Sequence, residues 1–464
     1  MGGLFQGLEI GKRALLTHQL SMSIIGHNLA NVSTPGYTRQ RVNVASAMPI
    51  ETANYNIGNG VTAENIVHIR DLFLTGQYRR ENKSLGEWTY REKALGQVES
   101  LFNEPQDQGL GNVLNKFWST WLDLSNNPES TAARSAVVSQ SKMLTNAFHS
   151  LDRQLQEMSV SADRDVAGAV NDINQQAHEI ANLNRMIVSE ELGGQTANDL
   201  RDQRDLLIDQ LSQIVDINTA DKANGSTTVY VGGLAIVENA DTFEFATTVA
   251  SSGQQAKYDI VWKGTSTRVK IKGGELKGIL DTRDTLIPAY REKLDTLART
   301  IVQQVNTVHQ SGTGLDGRSG RAFFNSAFTS AGTIQLDNAV EQDPSAIAAS
   351  LSGEPGDNAA ALSIADLRTK PLLSSGAATI GEFYDAVIGR VGIDSNEAST
   401  FKNNYEVLTR QIENSRQSVQ GVSLDEEMAE MVRMQHSYAA AAKLITFIDQ
   451  ALEDLIHGMG VVGR

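Results

Sequence analysis

The 464-residue sequence contains no cysteine. This absence excludes a disulfide-stabilised scaffold, thiolate catalysis and a zinc site with cysteine ligands. A cytosolic enzyme of this length usually has a few cysteines. Their absence therefore favours a protein that works outside the cell without disulfides.

Proline (8 residues) and aromatic residues (6%) are also scarce. This composition favours long helices over a dense globular core. The net charge of −15 argues against general nucleic-acid binding, because phosphate recognition needs clustered lysine and arginine. No apolar run approaches the roughly 18 residues of a membrane span, and the N-terminus lacks the pattern of a cleaved signal peptide. We therefore expect no membrane insertion, and either a cytosolic protein or one exported without a cleaved signal.

Apolar residues near the N-terminus recur at alternating steps of four and three, with weak positions at Gly11 and His18. This spacing predicts a helix with a narrow, coiled-coil-like seam that the helix cannot bury alone. The predicted N-terminal seam consists of Leu4, Leu8, Leu15, Met22, Ile25, Leu29 and Val32.

The C-terminal segment repeats this spacing, and Ser423 and Glu426 have the separation of a capping box at its start. Residues 1–50 are net basic and residues 421–464 net acidic, so the two helices can pair. Exposed ion pairs contribute only ~0.2–1 kcal/mol each, so the seam must supply most of the energy. The predicted C-terminal seam consists of Leu424, Met428, Met431, Tyr438, Ile445, Ile448, Leu452 and Leu455.

The middle of the chain is predicted to be a bundle of long helices with one β-rich insertion. Helical composition or periodicity covers residues 61–103, 130–190, 276–310 and 379–420. Alternating β-branched and polar residues with interspersed glycine predict strands within residues 216–275. The stretch from about 313 to 375 is irregular, with one strand candidate, "TIQLD".

The predicted fold is mainly α with a smaller β-rich insertion. We expect an elongated multi-domain rod in which the N- and C-terminal helices pair as a coiled coil on a long-helix bundle body. Residues 1–60 with 421–464 are predicted to form the terminal domain. Residues 61–215 with 276–420 form the bundle, and residues 216–275 form the outer insertion.

The stretch "GHNLANVSTPGYTRQ" ends the first helix at a Pro-Gly pair. Proline presets the first central position of a turn, and glycine supplies the positive φ that a type II turn needs next. We expect Tyr37 and the arginines that follow to contact neighbouring subunits. The turn motif consists of Asn28, Asn31, Thr34, Pro35, Gly36, Tyr37 and Arg39.

This stretch resembles the signature of flagellar rod, hook and hook-associated proteins, and the segment "GVSLDEEMAEMVRMQHSYAAAAKLITFIDQALEDLI" resembles their C-terminal signature. "PGYTRQ" and "SGTGLDGRSGRAFF" are most similar to the hook-associated protein 1 family. Gly3 stands where this group often has a serine that caps the first helix.

The resemblance implies a structural subunit of the flagellar axis that joins hook to filament, not an enzyme. It implies an inner tube of terminal helices and export in an unfolded state without a cleaved signal. The implied partners are further copies of the chain, the hook protein, the next hook-associated protein toward the filament, and an export chaperone on the C-terminal helix. The implied location is extracellular, in the flagellum.

The residues themselves indicate no catalytic, cofactor or metal site. The eight histidines are scattered and form no paired metal-ligand motif. The glycine-rich pieces lack phosphate-loop spacing, and no serine lies in a G-x-S-x-G motif. Two alternatives remain open: a sister axial protein, such as a filament-side hook-associated or distal rod protein, and a cytosolic coiled-coil scaffold or signalling protein.

Overall fold

The structure is a computed structural model that describes residues 2–51, 56–102, 109–250 and 257–459. The helices are α1 (Gly2–Ala30), α2 (Leu72–Phe102), α3 (Leu110–Asn126), α4 (Thr131–Glu191), α5 (Asn198–Ile214), α6 (Glu275–Asp281), α7 (Ile287–Ser311), α8 (Asn338–Gln342), α9 (Ala359–Ala365), α10 (Ile380–Gln420) and α11 (Leu424–Met459). The strands are β1 (Gln40–Ser46), β2 (Ile50–Glu51), β3 (Asn56–Ile57), β4 (Val61–His68), β5 (Ile217–Asp221), β6 (Thr227–Val231), β7 (Leu234–Glu238), β8 (Asp241–Thr242), β9 (Phe245–Ala250), β10 (Lys257–Trp262), β11 (Thr313–Gly314) and β12 (Ala348–Ser350).

The mainly helical fold with a β-rich insertion is confirmed. The predicted helices at 130–190 and 379–420 are α4 and α10, and the one at 276–310 is α6 and α7 joined by a π-helical turn. Six strands lie between residues 217 and 262 of the described chain. The strand candidate "TIQLD" forms only an isolated bridge between Leu336 and Phe324.

The helix prediction is wrong at the start of the 61–103 segment, because residues 61–68 form β4. This strand pairs antiparallel with β1, from Ser46 opposite Val61 to Gln40 opposite His68. Four of its eight residues, Val61, Thr62, Ile66 and Val67, are β-branched and favour a strand, and the backbone bonds to β1 fix it. A domain boundary at residue 60 would separate these two strands. We therefore use "terminal unit" for α1, β1, β4 and α11, and "body" for the chain from α2 to α10.

The body contains two hydrophobic cores. The first joins α3, α7, the start of α4 and the end of α2 around aromatic residues such as Trp121, Phe117 and Phe324. The second joins α5, α6 and the later half of α4 to the β-rich insertion. Helix α4 runs through both cores; its 61 residues correspond to about 90 Å at the α-helical rise.

His309 in the first core makes stability dependent on pH. The imidazole is fully buried; its Nδ1 bonds to the Arg321 carbonyl at 2.8 Å, and its Nε2 accepts a bond from the Ala348 N–H at 2.9 Å. Burial lowers the pKa of His309 from 6.5 to about 4. As the pH falls through 6.5, the unfolded chain therefore binds a proton that the folded chain does not bind until about pH 4.

We expect the free energy of unfolding to fall by about 2 kcal/mol more between pH 7 and pH 4.5 in the native chain than in a His309→Gln variant. Urea unfolding of both chains at a series of pH values measures this difference. The variant serves as the control, because the carboxylates titrate in both proteins. Parallel pH profiles would contradict the prediction.

Candidate assembly site

The two terminal helices pack along each other, as predicted, and they run antiparallel. Gly7 lies against Ile448, and Gly11 lies against Ile445 and Ala441. A methyl group on Gly11 would lie 2.7 Å from Ile445 Cγ1. The apolar spacing alone predicts a weak point of the seam at Gly11. Gly11 is instead a point where α11 comes close to the α1 backbone.

The predicted N-terminal seam largely faces the interior of the terminal unit. Ile25 is buried, and Leu8, Leu15, Met22 and Leu29 are half-buried. Val32 lies beyond the end of α1 and is exposed in the turn. The side chain of Leu4 lies outside the described residues. Among the described side chains, α1 buries the polar residues Thr17 and Asn28; the predicted turn motif includes Asn28, whereas the sequence pattern did not single out Thr17.

The predicted C-terminal seam divides into buried and exposed residues along α11. Ile448 is buried, and Met431, Ile445 and Leu452 are half-buried. The other four residues are exposed and belong to a set of large apolar side chains on α11 that face solvent. We call this set the outer stripe: Leu424, Met428, Val432, Tyr438, Leu444, Phe447, Leu455 and Ile456.

The Pro-Gly turn has the predicted geometry. The Tyr37 N–H donates to the Thr34 carbonyl at 3.2 Å, and Gly36 has a φ of 77°. Asn31 holds the end of α1, because its Nδ2 donates to the His27 carbonyl at 3.0 Å. A side-chain carbon on Gly36 would lie 3.0 Å from the Leu206 Cβ, so the turn lies directly on α5.

Asn28 is the centre of the corner that this turn creates. Its side chain is 1% exposed. Its Nδ2 donates to the Gln40 carbonyl at 2.9 Å and to Glu427 Oε2 at 3.0 Å. Its Oδ1 accepts bonds from the Tyr37 hydroxyl at 2.7 Å and the Gln40 N–H at 3.0 Å. One amide thus joins α1, the turn, β1 and α11.

Arg39 adds an ionic connection between β1 and α11. It contacts Glu427 at 2.6 Å and Glu426 at 2.8 Å, and its N–H donates to the Gln420 carbonyl at 2.8 Å. Ser423 immediately precedes α11 as predicted, but the Glu426 carboxylate pairs with Arg39. The polar groups of Tyr37 and Arg39, expected to contact other subunits, therefore bond within the chain. Arg41 is exposed.

Four aspartates of α5 connect the corner to the body. We call Asp199, Asp202, Asp205 and Asp209 the acidic face of α5. Asp202 accepts bonds from the Thr38 N–H and hydroxyl, each at 2.7 Å, and contacts His68 at 3.0 Å. Asp199 accepts a bond from Gln40 Nε2 at 2.6 Å.

Sequence reasoning missed this face, although its steps of three and four place all four carboxylates on one side of a helix. Burial, together with the charges of Asp199, Asp202 and Glu427, raises the pKa of Tyr37 well above its usual range. The phenol therefore remains a hydrogen-bond donor to Asn28 at physiological pH.

The described ranges contain neither a metal site nor a membrane-spanning helix. Within them, no group of three or more histidine, aspartate and glutamate side chains could hold a metal ion. No helix among the described residues is long and apolar enough to cross a membrane.

The close helix approach at Gly11 leads to a prediction. Gly11→Ala should weaken the α1–α11 pair by about 1–2 kcal/mol, because the clash with Ile445 outweighs the gain of about 1 kcal/mol in helix propensity. Gly26→Ala, in the same helix with nothing within 4 Å, should stabilise the pair. Hydrogen exchange of α1 and α11 amides measures both effects, and the same change in both variants would contradict the close approach.

Known proteins match both the body and the C-terminal helix. The flagellar hook-associated protein FlgK helical domain matches residues 95–324. The C-terminal domain of the flagellar basal body rod FlgEFG proteins matches residues 414–457.

Full-length relatives and a solved structure agree with these matches. The chain is 32% identical over 507 residues to flagellar hook-associated protein 1 of Bacillus subtilis, covering 100% of both chains. It is 23% identical over 535 residues to the Escherichia coli protein of that name, covering 95% of this chain and 97% of that one. The flagellar hook junction protein FlgK from Burkholderia pseudomallei has a similar fold, with a TM-score of 0.66 at 15% identity, covering 74% of this chain and 100% of that one. The chain therefore belongs to the flagellar hook-associated protein 1 family and is a structural axial protein of the bacterial flagellum.

Proposed function

We propose that this chain joins the hook to the filament as a ring of identical copies, assembled through the terminal helices. The observation that carries this proposal is the outer stripe. Eight large apolar residues stay exposed on α11 although Ala441, Ile445 and Ile448 of the same helix already pack on α1. So many exposed large apolar side chains on one helix of a soluble protein mark an interaction surface.

The same stripe supports the proposed partners before and after export. The hook protein contacts one side of the ring, and the next hook-associated protein toward the filament contacts the other. In this proposal the chain is exported without a cleaved signal. Before export, a chaperone covers the C-terminal helix, because exposed Phe447 and its neighbours would otherwise promote aggregation. The β-rich insertion, on the second core of the body, faces outward in this arrangement.

Complementation of cells that lack the protein tests the proposal. A chain ending at residue 423 should build no filaments, yet its purified body should unfold cooperatively, because α11 belongs to neither core of the body. Wild-type filament numbers, either without the protein or with the truncated chain, would overturn the proposal.

A matched pair of point variants refines this test. Phe447 is 70% exposed on the outer stripe, whereas Leu192 is 83% exposed at the end of α4 in the body. Phe447→Ser should reduce filament number and Leu192→Ser should not. Equal filament numbers with both variants would show that the outer stripe takes no part in assembly.

A further inference from the structure

The first turn of α2 exposes two adjacent large apolar side chains. Leu72 is 65% exposed and Phe73 is 72% exposed. The turn is well formed, because Asp71 Oδ1 accepts bonds from the Phe73 N–H at 2.8 Å and the Leu74 N–H at 3.1 Å. Both side chains are therefore exposed to solvent on an ordered helix start, at the boundary between terminal unit and body.

A basic groove of about 520 Å³ lies beside this pair, between α2 and the edge strand β5. Three of its cations are paired within the chain: Arg70 with Asp205 at 2.9 Å, Arg79 with Asp209 at 2.6 Å and Lys83 with Asp216 at 2.9 Å. Arg80, in contrast, is exposed and forms no ion pair within the described ranges. The surface thus combines two apolar side chains with one unpaired cation.

The start of α11 has the complementary composition. Leu424 and Met428, one helical turn apart, are 50% and 53% exposed. Asp425 beside them is exposed and, among the described residues, has no cationic partner, unlike Glu426 and Glu427, which pair with Arg39. This surface combines two apolar side chains with one unpaired anion.

We propose that the start of α11 in one copy docks on the start of α2 in a second copy of this chain, with Asp425 facing Arg80. The two surfaces do not cover each other within one chain, because all four apolar side chains are at least half exposed. Opposite unpaired charges beside matched apolar pairs favour each other as partners. An assembly that adds copies one after another along the axis requires this contact to be head-to-tail, and such a contact can close a ring or continue as a helical array. This inference rests on the proposed assembly of copies and names one contact within it.

Single cysteines in the cysteine-free chain test the contact directly. A Phe73→Cys chain and a Met428→Cys chain, carrying tags of different size, are mixed under assembly conditions and oxidised mildly. The head-to-tail contact predicts a mixed disulfide dimer in excess over both homodimers. Leu192→Cys mixed with Met428→Cys is the control for random collision. Mixed dimer at the control level, or a majority of homodimers, would overturn the contact.

Charge reversal gives a second test. Arg80→Glu and Asp425→Arg should each lower the yield of the mixed dimer about fivefold, and combining one variant in each chain should restore it. Failure of that restoration would overturn the proposed charge pairing. If filaments still require α11 but no mixed dimer forms, the assembly proposal stands and this contact is wrong. If truncation at residue 423 leaves filaments unchanged, the assembly proposal itself fails.

Discussion

Gly86→Ala is expected to lower the free energy of unfolding of the body by about 3 kcal/mol or more. A methyl group on Gly86 in α2 would lie 2.1 Å from the carbonyl oxygen of Gln213 at the end of α5, and 3.0 Å from its carbonyl carbon. Both contacts are with backbone, so no side chain can rotate away, and the two helices must separate. Urea or thermal unfolding of the purified chain measures the loss.

Gly96→Ala provides the control for this prediction. Gly96 lies in the same helix, and nothing lies within 4 Å of the position that its side-chain carbon would occupy. This substitution should increase stability by about 1 kcal/mol, because alanine is the better helix former. Destabilisation of similar size in both variants would show that the approach of α2 to α5 is not the cause.

Asn28→Ala should open the corner that joins α1, β1 and α11 in the terminal unit at a cost of about 4 kcal/mol. The substitution removes four hydrogen bonds from a buried site, one of them to a carboxylate, and leaves Glu427 with fewer partners. Hydrogen exchange should accelerate in β1 and the first turns of α11 while the two cores of the body keep their protection.

Asn31→Ala is the matched variant for this prediction. Within the described part of the chain, the Asn31 side chain bonds only locally, to His27 and Thr34, so its loss should cost about 1 kcal/mol and leave β1 protected. If exchange in the body accelerated as much as exchange in β1, Asn28 would be a general stability determinant and not the centre of the corner.

Local patterns predicted the long helices well. Helices α4 and α10 follow from apolar residues at steps of three and four, which depend only on neighbouring residues in the chain. The strand β4 did not follow although four of its eight residues are β-branched, because its pairing partner β1 lies on the other side of a chain reversal and the local spacing does not show that pairing. The sequence composition of residues 61–68 contains no record of this partner.

The assembly site shows the same limit. Apolar spacing identified α11 as amphipathic, yet it combined Ile448, which packs on α1, with Leu424 and Met428, which face solvent. A pattern of apolar residues shows that a surface will be covered, but not whether the same chain or another copy covers it. Likewise, the spacing of the aspartates on α5 shows a common face, whereas their donors in β1 and the turn come from more than a hundred residues away.

The chain passes between terminal unit and body only twice, through residues 69–71 and residues 421–423. Both crossings are short, and the backbone of Arg39 links them. Its carbonyl accepts a bond from the Ile69 N–H at 2.8 Å, and its N–H donates to the Gln420 carbonyl at 2.8 Å. A joint with two parallel tethers resists rotation about its axis far better than a single hinge does. In a rotating flagellum, this double crossing would allow torque applied to the terminal unit to reach the body without a change in the angle between them.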